Sequence, residues 1–262
     1  MNGWIDAHNH LQDTRLGDPD AIILRMREAG IEKCIVTATR EDDWIAVESL
    51  AAAHPDFIIP AFGIHPWNAH TASHGWQERL TALLNKHPQS SVGECGLDRW
   101  IDTPSIEVQK PVFIDQLRIA RKLNRCATIH CLRAWEALFE AFKHQAPPQK
   151  FLLHSFNGSI ETARRLIPLG ARFSFSGYFL KPEKSRTLDI FRMLPLERIL
   201  LETDAPDMSP PDALKSHPIA ENLNHPANLC SIAHALADSL GMSPSQLAEI
   251  TRANTRDCFA IP

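Results

Sequence analysis

No stretch of eighteen apolar residues occurs in the chain, so the sequence offers no helix able to span a membrane. Basic charge is not in excess either. The 27 Lys and Arg are outnumbered by 31 Asp and Glu, for a formal net charge of −4. Such a surface gives no general attraction to polyanions, so a nucleic-acid substrate would have to be held by local positive charge and by metal. Cysteine is sparse and scattered: the six, at 34, 95, 126, 131, 230 and 258, show no C-x-x-C spacing. Reduced, buried thiols in a cytoplasmic protein fit that distribution. Core-like sequence begins by residue 4, so no signal peptide is expected. Linker-like composition and internal repeats are also missing, so residues 1–262 are expected to form one domain.

What is present is alternation. Hydrophobic residues make up 44% of the chain, enough for a large core. Short apolar runs predict strands at 3–7, 33–38, 58–62, 91–94, 126–130, 151–154, 172–176 and 199–203. Amphipathic segments near 19–29, 42–53, 75–86, 104–124, 133–145, 159–169, 183–193 and 227–240 follow them, with an extra C-terminal helix at 244–258. Asp18-Pro19, Thr103-Pro104 and Ser243-Pro244 read as helix starts, and Gly30 and Gly170 as stops. Eight strand–helix pairs predict an α/β fold, a (β/α)8 TIM barrel with parallel strands. The long irregular stretch 205–226, with prolines at 206, 210, 211, 218 and 226, leaves the last strand at its C-terminal end. Loops of that length are usually functional, and this one is expected to form a wall of the site.

The strand ends carry the chemistry. Asp6-Ala7-His8-Asn9-His10 closes the first apolar run. Alternate side chains of a strand share a face, so His8 and His10 project together, about 7 Å apart. Strand four ends with Glu94 between Gly93 and Gly96, strand five with His130, strand six with His154, and strand eight with Asp204. Any one of these can be a hydrogen-bonded structural residue. Together they are six ligand-type side chains on one end of five strands, and a barrel converges those ends on one mouth. Four imidazoles and two carboxylates, with no thiolate, suit two divalent ions of the Zn, Mn, Mg, Co or Ni type. Six ligands exceed what one catalytic ion takes, whereas two ions bridged by a carboxylate, naturally Glu94, satisfy the count. Such ions can clamp a phosphoester and lower the pKa of bound water from about 16 toward 7, with Asp204 accepting its proton. Cys95 and Cys131 come directly after Glu94 and His130, and alternation turns both toward the helices, away from the ligands.

These motifs resemble the TatD family of metal-dependent deoxyribonucleases, within the amidohydrolase superfamily. The matching stretches are Asp6-Ala7-His8-Asn9-His10-Leu11, Gly63-Ile64-His65-Pro66, Gly93-Glu94-Cys95-Gly96-Leu97-Asp98 and Ile129-His130-Cys131-Leu132-Arg133. Further along come His154-Ser155-Phe156-Asn157-Gly158, Phe173-Ser174-Phe175-Ser176-Gly177, Glu202-Thr203-Asp204-Ala205-Pro206 and Asn254-Thr255. The resemblance spans the chain and implies a barrel that hydrolyses DNA phosphodiesters at a dinuclear site. It implies one ion on His8, His10, Glu94 and Asp204, and another on Glu94, His130 and His154. Asn224-His225-Pro226 and Arg99-Trp100 depart from the family pattern where substrate could rest.

Around this set stand weaker candidates. His65 is expected to bind a substrate phosphate or stabilise the leaving oxygen; the alternative is a structural His fixing the turn before Pro66. Arg133 can form two bonds to a phosphate, or be a plain surface arginine. Tyr178 and Trp67 can stack on bases, or simply pack. Lys181, Lys184 and Arg186 can meet a DNA backbone or merely start a solvated helix. Glu202 is expected to orient a ligand histidine rather than to bind metal itself. The leading expectation is a hydroxide-driven phosphodiesterase acting on DNA or a short oligonucleotide, with no membrane and no obligate protein partner. The rivals are hydrolysis of a C–N or C–O bond in a small molecule and a non-catalytic metal-binding barrel. Deamination is disfavoured, because Ser-Phe-Asn-Gly comes after His154 and the nearest glutamate after His130 is Glu136.

Overall fold

The computed structural model describes residues 3–220 and 222–262. Its centre is one sheet of eight parallel strands in sequential order: β1 (Trp4–Asn9), β2 (Ile31–Thr37), β3 (Ile58–Phe62), β4 (Ser91–Asp98), β5 (Ala127–Leu132), β6 (Phe151–Leu153), β7 (Ala171–Ser176) and β8 (Ile199–Glu202). Helices α1 (Pro19–Glu28), α2 (Glu41–Ala53), α3 (Trp76–Lys86), α4 (Ile106–Lys122), α5 (Trp135–His144), α6 (Ile160–Leu166), α7 (Ser185–Met193) and α8 (Leu229–Ser239) separate or follow the strands, and α9 (Pro244–Phe259) ends the chain. This is a (β/α)8 barrel. The seam between β8 and β1 is drawn together by Asp204 N–H donating to His8 C=O at 3.0 Å and His10 N–H to Ala205 C=O at 2.8 Å. The buried Asp6 carboxylate adds a clasp, accepting from Thr203 N at 3.0 Å and Thr203 Oγ1 at 2.6 Å.

The helix starts follow local chemistry. Asp18 caps α1 by accepting from Asp20 N, with Pro19 in the first turn. Ser243 and Gln246 form a reciprocal capping box at α9, with Pro244 behind it. Thr103-Pro104 does not open α4 as its sequence suggests. The extended Ser105 is the cap and the helix begins at Ile106, leaving Pro104 in the turn before it. Gly170 closes the turn before β7 with φ +103, a conformation costly for any residue with a Cβ.

Two apolar layers fix the barrel. Ile5, Ala7, Ile35, Ile59, Ala61, Leu152 and Leu200 fill its inside, plugged from the C-terminus by Phe259 and Ile261. The larger cluster lies between strands and helices, with Phe62, Phe113, Phe151, Phe173, Phe175 and Phe191 fully buried. Cys95 and Cys131 are part of this outer layer. With the lower interior filled by hydrocarbon, the polar side chains are left at the C-terminal mouth.

Candidate metal centre

Two β-bulges aim the central side chains. Between β1 and β2 the register shifts across Asp6 and Asn9, which brackets His8; between β4 and β5 it shifts across Val92 and Cys95, which brackets Glu94. A bulge adds a residue to one strand and re-aims the side chains beyond it, a device common beside active sites. Strict alternation from the inward Ile5 and Ala7 would have turned both His8 and His10 away; the shift coincides with their arrival together at the mouth. Just beyond Glu94, Gly96 has φ +142, and a Cβ there would lie 2.0 Å from His130 C=O. Only glycine lets β4 and β5 approach this closely, carrying Glu94 beside His130.

Glu94 is the hub. Its Oε2 lies 3.4 Å from His8 Nε2 and 3.5 Å from His10 Nε2. Its Oε1 faces the other way, 2.8 Å from His154 Nε2, 3.2 Å from His130 Nδ1 and 3.3 Å from His65 Nε2. Asp204 Oδ1 completes the first side, 3.3 Å from His8 and 3.5 Å from His10. The structure thus brings together all six strand-end residues read from the sequence, and His65 with them. Their donor atoms form three triads, each with atoms within 4.8 Å of one another: His8, His10 and Asp204; His8, Glu94 and His154; His65, Glu94 and His130.

Neighbouring groups settle which ring nitrogens are free. His10 Nδ1 is 2.7 Å from Thr37 C=O, which fixes a proton on Nδ1 and directs Nε2 toward Asp204 and Glu94. His130 Nε2 lies 3.0 Å from Asp98 Oδ2, which leaves Nδ1 for the centre. Asp98 also accepts the Trp67 indole N–H at 2.7 Å, so one carboxylate sets both rings. His65 differs: its Nδ1 accepts the Trp67 backbone N–H at 3.2 Å, so the neutral ring carries its proton on Nε2. His65 therefore presents a hydrogen-bond donor, not a ligand lone pair, to the centre. Glu202 is wholly buried and accepts from Ser155 N and Ser155 Oγ, each at 2.6 Å, and from Ser174 Oγ. It stands 3.8 Å from His154 Nδ1, beyond hydrogen-bond reach, and holds instead Ser155, the chain neighbour of His154.

The electrostatics are those of a tightly coupled cluster. Burial works against charge on Glu94, yet His154, His65 and His130 hold it well below the usual carboxylate range. Asp204 is also lowered, since His10 and His8 outweigh its burial. Burial likewise opposes a charged His10, but Asp204 and Glu94 lift it to about 9. His65 goes the other way: burial lowers it and Glu94 only partly offsets this. Both ring nitrogens of the fully buried His8 have no hydrogen-bond partner among the described residues, and its Nε2 faces the carboxylates of Glu94 and Asp204. Orphaned imidazole nitrogens inside a polar cluster are costly unless an ion takes their lone pairs. The donor set therefore fits divalent metal.

The centre opens into a cavity of about 510 Å³. His65, Trp67, Asn68, Thr39 and Arg40 line one side, and Asp207 and Met208, from the stretch after β8, line another. Of the described residues in the stretch 205–226, Asp207 and Met208 are the ones that line the cavity; the rest do not. Other candidates face elsewhere. Arg133 stacks its guanidinium 4.0 Å from the Trp100 ring, and Tyr178 lies under Lys181 and Lys184; none of the five lines the cavity. His225 does not line it either: its Nδ1 accepts Ala227 N–H at 3.0 Å, capping a buried turn. Asp98 and Arg40 were missed from the sequence. Asp98 had a signal, since it falls four positions after Glu94 on the same strand and so shares its face, whereas Arg40 had none to separate it from a solvated helix start.

An eight-stranded barrel with imidazoles and carboxylates gathered at its C-terminal mouth defines a metal-dependent hydrolase of the α/β-barrel class. Residues 5–260 match the family model described as TatD related DNase, and the chain belongs to that family. A relative from Escherichia coli named an uncharacterized metal-dependent hydrolase, YjjV, is 30% identical over 262 residues, 99% of this chain and 98% of its own. Its crystal structure superposes with a TM-score of 0.90 over the same shares of the two chains. A protein of Edwardsiella piscicida named 3'-5' ssDNA/RNA exonuclease TatD is 30% identical over 251 residues, 94% of each chain. No helix among the described residues is long and apolar enough to cross a membrane.

Proposed function

We propose that the chain hydrolyses phosphodiester bonds in single-stranded DNA at a dinuclear centre bridged by Glu94. One observation carries this reading: the two Glu94 oxygens address two different histidine sets. His8, His10 and Asp204 would hold one ion with Oε2, and His130 and His154 the other with Oε1. A carboxylate turned to both sides suits a bridge between two ions. The substrate class rests on the relatives named as ssDNA/RNA exonucleases and on a mouth that takes a flexible strand more readily than a duplex.

When bound, such ions polarise a phosphoryl oxygen and make a coordinated water more acidic near neutral pH. The residues of the chain do the rest. Asp204 stays ionised under His10 and His8, and so can accept a proton at its carboxylate. Neutral His65 points Nε2–H into the mouth, where it can donate to a phosphate oxygen or to the leaving oxygen. Asp98 keeps His130 in the tautomer whose Nδ1 faces Glu94.

The test is turnover of a single-stranded oligonucleotide by purified protein supplied in turn with magnesium, manganese, cobalt, nickel and zinc. Cleavage by at least one loaded form, lost in Asp204→Asn, supports the reading. Cleavage by none of them, beside hydrolysis of a phosphate-free ester or amide, would overturn it in favour of small-molecule chemistry.

A further inference from the structure

We infer that Arg40 and Trp67 form a nucleotide-binding lip on one side of the mouth, Arg40 taking a backbone phosphate and Trp67 stacking on a base. The inference rests on the proposed nuclease reading and adds where the strand lies. Two arginines line the cavity, and no lysine does. Arg15 is already neutralised, held by Asp13 and by Asp207, the latter through two bonds of 2.8 and 2.9 Å. Arg40 is exposed, and among the described residues its guanidinium has no hydrogen bond, ion pair or ring contact. A free guanidinium on the wall of a cavity otherwise rich in carboxylates is a ready two-pronged site for a phosphate.

The start of α2 cannot play that part instead. Its first turn carries the carboxylates of Glu41, Asp42 and Asp43, the last bonded back to Thr39 N, Thr39 Oγ1 and Arg40 N, so an added anion would meet like charge there. The side chain is what remains for an anion. The segments that carry Arg40 and Trp67 are joined by their chain neighbours, Asn68 Nδ2 donating to Thr39 C=O at 3.0 Å, and both side chains line the same cavity. Trp67 is 49% exposed although it is firmly held. Its indole N–H is bonded to Asp98, and its ring meets His65 edge-to-face with centroids 5.2 Å apart. An indole fixed in orientation and open to solvent is a stacking platform whose ordering cost is already met by the fold. In a chain of net charge −4, one free cation beside one fixed aromatic supplies the local attraction that the surface as a whole does not.

The experiment measures equilibrium binding of a single-stranded octathymidylate with phosphorothioate linkages to the metal-loaded enzyme, across a range of salt. Arg40→Gln should weaken binding about tenfold. It should also flatten the slope of log Kd against log salt by about 0.7, the signature of one lost phosphate contact on a single strand. Arg40→Lys should keep the slope. Removing the bases from the same backbone should weaken wild-type binding about tenfold and make little difference to Trp67→Leu. Unchanged affinity and slope in Arg40→Gln, with the wild type binding well, would overturn the lip and leave the nuclease reading standing. A wild type that does not bind the strand would overturn both.

Discussion

Glu94 Oε1 lies 2.8 Å from His154 Nε2, the shortest approach between a carboxylate and an imidazole in the mouth. The same carboxylate reaches His8 and His10 with its other oxygen. One side chain from β4 thus joins the ends of β1, β5 and β6. The centre exists only when these strands are in register, so its properties report on the barrel as well as on the chemistry.

Asp98 should prove to be a positioning residue. It touches no candidate ion but fixes His130 through Nε2 and holds the Trp67 indole. Asp98→Asn should weaken binding of the ion on the His130 side about 10- to 100-fold and leave the His8 and His10 side unchanged. Titration of the metal-free protein followed by calorimetry checks this. Equal loss at both sites would show general damage instead.

Arg15 bonds Asp13, after β1, to Asp207, after β8. Both pairs are exposed, so Arg15→Ala should cost about 1 kcal/mol or less of global stability. Its effect should be local: faster proteolysis within 205–226 with a nearly constant Tm. Limited proteolysis beside a melting curve separates the two. A large fall in Tm with unchanged cleavage would contradict the assignment.

His225 gives the fold a pH dependence of definite sign. Burial, with the charges of His217 and Arg25, lowers it from the ordinary 6.5 to about 4. Only the neutral ring can accept Ala227 N–H at Nδ1. Between about pH 6.5 and 4 the unfolded chain takes up a proton that the folded chain refuses, so stability falls as pH drops through that window. The contribution is on the order of 1 kcal/mol by pH 5. His225→Asn keeps a capping acceptor and should flatten this part of the profile in denaturant melts between pH 4.5 and 7. An unchanged slope would show that other groups carry it.

Much of this was legible in the sequence because it is periodic. Strands and helices alternate with clear caps, and ligand-type residues recur at strand ends, so the barrel and the members of the cluster followed from order alone. Where the pattern breaks, the sequence is silent. The bulges at His8 and Glu94 leave no trace in composition: alternation pairs His8 with His10 but does not show how both share the barrel interior's side with Ile5 and Ala7. β4 runs on to Asp98, beyond its apolar run, because the polar mouth supplies partners for its side chains and β5 pairs with its backbone. Arg133 and Tyr178 had the right chemistry and nearby positions, but each is engaged in a cation–π contact outside the cavity. The free guanidinium of Arg40 is visible only once every other charge in the wall has been paired.

The central claim is that Glu94 bridges two ions, and metal content measures it most directly. Wild-type protein loaded with manganese and desalted should retain about two ions per chain by elemental analysis. Glu94→Gln, folded by circular dichroism, should retain one or fewer and lose turnover by at least about 100- to 1000-fold. A wild type that saturates at one ion, or a folded Glu94→Gln that still holds two, would contradict the account.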